Sequence, residues 1–510
     1  MSVVSDIHRL VDRSVRFAAW DPLLTGARTA GLVRWGPTLS ALVHASALRW
    51  PSRPAVIDDD GTLTYRQLDQ QADRLAAGLR ELPDGAIGLL CRNHRGFPLA
   101  QLAIERSGRN AVMLNTSLPA SQLAQIAQRE ELAVVIADDE FADRLTGISV
   151  QVVSADDPAA HSRATLAVWP RRRSRVVMLT SGTTGPPKGA RQAEQRPSIS
   201  DAGLLDALPI RMNDTTLVAS PLFHAWGLAH CNIALATGST LVLQRTFDPG
   251  ATFRSIDGND VSLVAVVPVM LSRLLAAAPP LLDMTGVRAV MCSGNVLSGT
   301  LANSWIERFG PQLYNVYGST ETAIATVAAP QDLVNAPGTV GSPPAGVTVT
   351  ILDDQNNPVA PGTIGRVFTS NSMQFDGYTD GTSRTRVGSL MATGDLGYLD
   401  LFGRLFVDGR ENNLIVTGGE NVFPSQIEEV LEQHPLVRQA AVVGSPDDEF
   451  GQRIAAFIVA EPGLDLDELN DWCNDLLAPF QRPRDLTLLD EIPMTTTGKV
   501  LRRSLLTISL

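Results

Sequence analysis

Cysteine is scarce: four in 510 residues, at Cys91, Cys231, Cys292 and Cys473. None forms a Cys-x-x-Cys pair or falls at Cys/His metal spacing, so a disulfide framework and a zinc site are both excluded and reduced, buried thiols are expected. Basic charge is short as well. Forty-two Lys and Arg stand against 54 Asp and Glu, a formal net charge of −12. Nucleic acid is held by basic patches, so it is not expected as a partner. A long apolar run is also missing: the most apolar window, residues 263–282, carries Arg273 and three prolines and is a poor membrane span. Ser5, Asp6, His8 and Arg9 interrupt any apolar run at the start, so no signal peptide is expected and a cytoplasmic protein is. Residues 8–17 are loosely amphipathic and leave a peripheral membrane contact open, with a solvated helix packed on the domain as the preferred account. No internal repeat or low-complexity tract is present. What remains is an ordinary globular composition, 44% hydrophobic and 19% charged, in a chain too long for one core.

Residues 37–150 alternate helical and strand signals. Residues 55–65 read as a hairpin with its turn at Asp60-Gly61, and Thr64 with Gln67 forms a capping box that opens a helix. Apolar runs at 86–91, 111–114 and 133–136, with a helix from Phe97 between them, predict an α/β domain with a largely parallel sheet. Further strands are expected at 264–267 and 287–292. Ligands in such sheets sit beyond the carboxyl ends of strands, which places Ser293, Gly294 and Asn295 at a site. Residues 425–460 read helix–strand–strand, a small α+β unit with its own core.

Residues 178–189 pack four hydroxyls (Thr180, Ser181, Thr183, Thr184), three glycines (Gly182, Gly185, Gly189) and Lys188 behind the strand-like run 175–179. Such a loop can wrap a polyphosphate: glycines let the backbone approach, amides and hydroxyls donate, and the lysine adds charge. A flexible surface loop has the same composition. The spacing is not that of the Walker loop, because Pro187 precedes the lysine and Gly189 follows it. Three more strings stand in order behind it: residues 313–322 (Leu-Tyr-Asn-Val-Tyr-Gly-Ser-Thr-Glu-Thr), residues 391–398 (Met-Ala-Thr-Gly-Asp-Leu-Gly-Tyr) and residues 492–502 with Gly498-Lys499. Read locally, the first is a strand ending at a helix capped by Ser319 or Thr320, the second a turn, the third a solvated tail.

Together the four strings resemble the adenylate-forming superfamily of acyl- and aryl-CoA synthetases, luciferases and peptide-synthetase adenylation domains, over nearly the whole chain. The resemblance implies a large N-terminal multi-sheet α/β domain (1–409) with the ATP, Mg²⁺ and acyl sites. A hinge at 410–413 about Asn412 and a small mobile α+β domain (414–510) would follow. Catalysis would fall to Lys499, Glu321 and Thr180, with Glu321 holding Mg²⁺. The nucleotide would meet Ser181, Gly182, Thr183, Thr184, Gly185, Lys188, Gly294, Asn315, Tyr317, Gly318, Thr320, Asp395 and Arg410. Tyr317 would lie on adenine, and Asp395 would accept from the ribose hydroxyls. His224, Trp226, Gly227, Ser293 and Gly294 would border the acyl pocket, with Trp226 as an aromatic gate, and Gly418 and Gly419 the coenzyme A channel. Four residues depart from the pattern: Asn295 with Val296 where small residues precede proline, Thr363 for glutamate, and Asn412 for Asp or Lys.

The reaction so implied joins a carboxylic acid to coenzyme A through an acyl-adenylate. His224 stands where amino-acid-activating relatives place an aspartate, and a buried ammonium without a counter-charge is costly, so an amino acid is not expected. A fatty acid is the preferred substrate, since the motifs look most like those of bacterial fatty-acid–CoA ligases. A fatty acyl-AMP ligase loading a carrier protein, an aryl-acid CoA ligase and a non-catalytic ATP sensor are the alternatives. No inserted segment separates Glu321 from Asp395, which weighs against the first, and retention of Lys499 and Glu321 weighs against the last. A monomer or homodimer is expected.

Overall fold

Short β-branched runs bounded by glycine and polar turns become buried strands, and stretches with apolar residues every three or four positions become helices laid across them. The computed structural model describes residues 22–163, 173–180, 187–193, 199–280, 282–417, 419–447, 450–495 and 498–508. An eight-stranded sheet runs, edge to edge, Ala323–Ala328, Leu313–Ser319, Ala289–Cys292, Leu263–Val266, Thr215–Val218, Thr240–Leu243, Pro54–Asp58, Gly61–Thr64. Its inner strands are parallel and its two edge pairs antiparallel. A seven-stranded sheet runs Gly377–Tyr378, Lys188–Arg191, Val176–Thr180, Ala111–Met113, Ala86–Leu90, Leu132–Ala137, Gln151–Ser154, parallel from Val176–Thr180 onward. The expected hairpin at 55–65 and the Thr64–Gln67 capping box are both present.

The largest core fills the space between these sheets. Helices Leu39–Arg49, Tyr65–Leu79, Gly96–Ser107 and Ala225–Ala236 contribute Val43, Leu68, Leu75, Phe97, Leu102, Cys231 and Leu235 to it, against Val56, Val218, Ile87 and Met113 of the strands. Arg106, fully buried, ties three of these helices. It donates to the Asp69 carboxylate (2.7 Å), the Asp73 carboxylate (2.8 Å) and Ser40 Oγ (3.3 Å). All four cysteines are free and buried, and burial pushes the Cys231 thiol up to about 12. A third, antiparallel sheet (Thr348–Leu352, Gly365–Ser370, Leu390–Leu399, Arg386–Val387, with Leu405–Arg410 beside Leu390–Leu399) carries Asp395 and Arg410.

Beyond the turn Glu411–Asn413, the hairpin Ile415–Thr417/Glu420–Val422 leads into helix Pro424–Glu432 and strands Val437–Asp447, Gly451–Ala460 and Asp485–Leu488. These build a separate core around Ile427, Leu431, Val442, Ile458 and Leu469. The helix–strand–strand reading of 425–460 is realised. No described helix is long and apolar enough to cross a membrane. The amphipathic stretch 8–17 lies outside the described residues.

Candidate active site

The carboxyl ends of the inner strands open onto one cleft of about 2380 Å³, lined from both the large and the small unit. That exceeds the ~300–1,000 Å³ of an ordinary ligand pocket and leaves room for more than one substrate.

Val176–Thr180 delivers the phosphate loop to this cleft. Thr180 Oγ1 donates to the Lys188 carbonyl across the loop's neck (3.3 Å). Ser181, Gly182, Thr183, Thr184 and Gly185 lie outside the described residues. Lys188 Nζ sits 2.9 Å from Asp380 and 3.3 Å from Thr382 Oγ1. The Thr382 hydroxyl and Lys188 hold the Asp380 carboxyl far below the usual range.

The second string corrects one expectation. Leu313–Ser319 does not end at a capped helix; Gly318 and Ser319 pair with Ile324 and Ala323 in a tight hairpin. Ser319 Oγ accepts from the Glu321 and Thr322 amides (3.3 and 3.2 Å), so the hydroxyl that would cap a helix caps the hairpin turn. The turn thrusts Thr320 and Glu321 into the cleft, while Asn315 is buried in the strand behind them. Glu321 is only 4% exposed. Its Oε1 accepts from the Tyr378 hydroxyl (2.7 Å) and lies 3.2 Å from Arg384. Burial raises the carboxyl, but Arg384 and Tyr378 outweigh it and leave the pKa lowered, so Glu321 is an anion at neutral pH.

Asp395 is gripped from two sides, by the Tyr317 hydroxyl (2.5 Å) and by Arg410 Nε (2.9 Å). Burial and the Asp395 charge push the Tyr317 phenol well above its ordinary value, so it stays a donor. Tyr317, Asp395 and Arg410 therefore form one unit, which local sequence spacing does not reveal.

Gly498-Lys499 reaches the same cleft from the small unit. Asn295 Nδ2 donates to the Gly498 carbonyl (2.7 Å), and a Cβ on Gly498, at φ +76°, would lie 2.8 Å from Val269 Cγ1. Only glycine allows this approach. Asn295, a departure from the superfamily pattern, is thus the residue that docks the lysine loop. Lys499 is exposed to the water of the cleft, within its walls. Those walls and Arg410 pull its pKa below the ordinary lysine value, and Glu321 and Asp395 act in the opposite direction.

Helix Ala225–Ala236 forms the apolar wall. His224 is its N-cap residue, and its Nε2 is buried without a partner. Burial, then the Lys499 charge, lower its pKa to about 4, so the ring is neutral. Trp226 donates to the Val266 carbonyl (3.0 Å) and meets His230 edge-on. In this arrangement Trp226, expected as an aromatic gate, forms part of the cleft wall. Gly227 is corrected too: it does not line the cleft but packs where a Cβ would lie 2.3 Å from the Pro221 carbonyl. Ser293 and Gly294 do line it. Gly419 turns at the exposed tip of the hairpin Ile415–Thr417/Glu420–Val422, outside the cleft lining, and Gly418 lies outside the described residues.

A second acidic cluster, His94, Asp138 and Asp156, brings its ligand atoms within 4.8 Å of one another. Arg245 bridges it, 2.8 Å from Asp156 and 3.4 Å from Asp138, which makes it a salt-bridge node.

The residues of the main cleft fit a magnesium–nucleotide. A buried carboxylate opens on the cleft, a Tyr–Asp–Arg unit offers donors and an acceptor, and two lysines approach from opposite sides. Magnesium takes one or two carboxylates with phosphate oxygens and water, and would neutralise phosphate charge beside Glu321.

The AMP-binding enzyme family is matched over residues 43–379, and its C-terminal domain over 426–499. The chain belongs to the AMP-binding enzyme family. Among relatives of this AMP-binding enzyme is the 2-succinylbenzoate–CoA ligase of Listeria monocytogenes, 32% identical over 89% of this chain and 96% of the relative. Another is the fatty acid–[acyl-carrier-protein] ligase ScoC of Streptomyces coeruleorubidus, 30% identical over 92% and 96%. The solved o-succinylbenzoate CoA synthetase of Bacillus subtilis, in complex with its acyl-adenylate, superposes with a TM-score of 0.83 at 28% identity, over 91% of this chain and 97% of that one. The adenylate-forming family and the fold expected from sequence are those found.

Proposed function

We propose that this enzyme is an AMP-forming ligase that joins an apolar monocarboxylic acid to coenzyme A, with a medium- or long-chain fatty acid as the preferred substrate. The observation that carries it is the joint arrangement of Lys499, Glu321 and the Tyr317–Asp395–Arg410 unit beside an uncharged wall. Along 220–236, 267–268 and 293–297 no acidic or basic side chain other than histidine is present, and His224 is neutral at physiological pH. Such a wall desolvates a hydrocarbon at little cost and a second carboxylate at a high one.

In this reading Lys188 and Lys499 offset charge as carboxylate and α-phosphate meet, and the fixed Asp395–Tyr317 pair orients the ribose. Positioning and preorganised charge then supply most of the rate. Coenzyme A as acceptor is supported by the CoA-ligase relatives, and the carrier-protein alternative by ScoC. A second reading, an aryl acid, is favoured by the 2-succinylbenzoate–CoA ligases among the relatives.

The test is pyrophosphate release, with coenzyme A or an acyl carrier protein as acceptor, across octanoate, palmitate, benzoate and 2-succinylbenzoate. Octanoate or palmitate with coenzyme A should give the highest kcat/KM. A preference for 2-succinylbenzoate would replace the fatty-acid reading with the aryl one.

A further inference from the structure

We propose that Arg384 is a further phosphate-binding residue, one that holds Glu321 until the magnesium–nucleotide arrives and then transfers its guanidinium to the polyphosphate. The proposal rests on the adenylate-forming reading of the cleft.

Arg384 belongs to the loop between the short strands Gly377–Tyr378 and Arg386–Val387, six residues past Tyr378. Three observations meet on it. Its Nη2 lies 3.2 Å from Glu321 Oε1, the carboxylate read here as the metal ligand. Its Nε is buried without a partner, a charged donor with an unused N–H. Its Nη1 and the Nη1 of Arg410 both crowd Gly394, where a Cβ would lie 3.1 and 3.4 Å from them. Two guanidiniums brought to one glycine, one from this loop and one from the strand Leu405–Arg410, repel each other in a partly dry cleft. Among the described residues, Glu321 and Asp395 are the carboxylates paired with them, one each.

A divalent cation on Glu321 would take over the charge that Arg384 now balances. The guanidinium would then face the metal and Arg410 with no anion of its own. A di- or triphosphate resolves this, because its oxygens accept from a planar fork in pairs. The same loop supplies Asp380, which occupies Lys188 in like fashion at 2.9 Å. One loop thus presents a cation to the metal carboxylate and an anion to the phosphate lysine, the charge pattern of magnesium polyphosphate in mirror image. The nucleotide displaces both contacts, and Arg384 remains as a phosphate donor.

Binding measured by calorimetry on the full chain tests this without turnover. Arg384→Gln should weaken inorganic pyrophosphate and Mg·ATP by roughly 10–100-fold, the range of a charge-assisted bidentate contact, while AMP weakens less than about threefold. Arg384→Lys should recover part of the pyrophosphate affinity, keeping charge without the fork. Tyr378→Phe, which removes the other Glu321 partner but no guanidinium, should weaken pyrophosphate far less than Arg384→Gln does, and an equal loss in the two variants would overturn the proposal. Equal pyrophosphate affinity in wild type and Arg384→Gln would overturn the proposal. So would an equal loss of AMP and Mg·ATP, which would make Arg384 only a support for Glu321; if Arg384→Gln does not fold, the Arg384→Lys comparison decides. Failure of the wild type to bind any nucleotide would overturn the adenylate-forming reading and the proposal with it.

Discussion

Lys499 brings one ammonium from the small unit into the cleft, and the proposed reaction would place it on the α-phosphate. Lys499→Ala should lower ATP–pyrophosphate exchange by about 10²–10³, the usual cost of one preorganised charge, while thioester formation from supplied acyl-adenylate persists. Equal loss of both half-reactions would assign the lysine a structural role. The histidines of the acyl wall make a separate point. Burial lowers His224 to about 4 and His230 to about 3, both from an ordinary 6.5. Between pH 6.5 and 4 the unfolded chain binds protons that the folded chain refuses, so stability falls as pH falls through this window and is unaffected above it. The slope is at most about 1.4 kcal/mol per pH unit for each ring. Melting midpoints from pH 7 to 4 should therefore drop less steeply in His230→Leu than in wild type. Parallel curves would mean that another group drives the acid limb.

Helices are fastened by one buried cation. Arg106→Met removes the partner that Asp69 and Asp73 share while leaving them His44 (2.9 Å) and Arg34 (2.8 Å), and should cost about 1.5–3 kcal/mol, the range for lost hydrogen bonds to a charged group, read as a shift in denaturant midpoint. The turn Glu411–Asn413 is the second element with a consequence. Arg410 before it is extended (φ −78°, ψ 135°), and Glu411 is its first position. Proline is favoured at a first helical position and wants an extended residue before it. Asn412→Pro, by contrast, would place a helical residue ahead of proline. Glu411→Pro should therefore hold the turn as it stands, keep ATP–pyrophosphate exchange and suppress acyl-CoA formation. Full acyl-CoA turnover would move the hinge elsewhere. Much of this element level was legible in sequence. The hairpin at 55–65, the capping box at Thr64, and the strand Ala289–Cys292 that leads to Ser293 and Gly294 follow from local pattern. The hairpin at Gly318–Ser319 did not, because Ser319 satisfies a helix N-cap and a turn equally well. Arg384 and Asp380 were illegible for another reason. Arg384 pairs with Glu321, 63 residues away, and Asp380 with Lys188 in a strand far earlier in the chain, and no periodicity encodes such pairs.

Across the whole molecule, the sequence revealed two units and the residues each contributes, but not their contact. Asn295 looked like a departure from pattern until its bond to the Gly498 carbonyl placed it on the seam between them. That bond has a kinetic consequence. If the proposed reaction is the right one, the lysine loop already docked means that the first chemical step would need no large rearrangement, and the slow motion would fall after pyrophosphate departs. Mixed rapidly with ATP, acid and coenzyme A, the enzyme should release a burst of about one pyrophosphate per chain before settling to a slower steady rate. Asn295→Ala, which loosens the dock, should shrink the burst and leave the later rate nearly the same. The protein would then wait between cycles like a cocked trigger, with reopening as its clock.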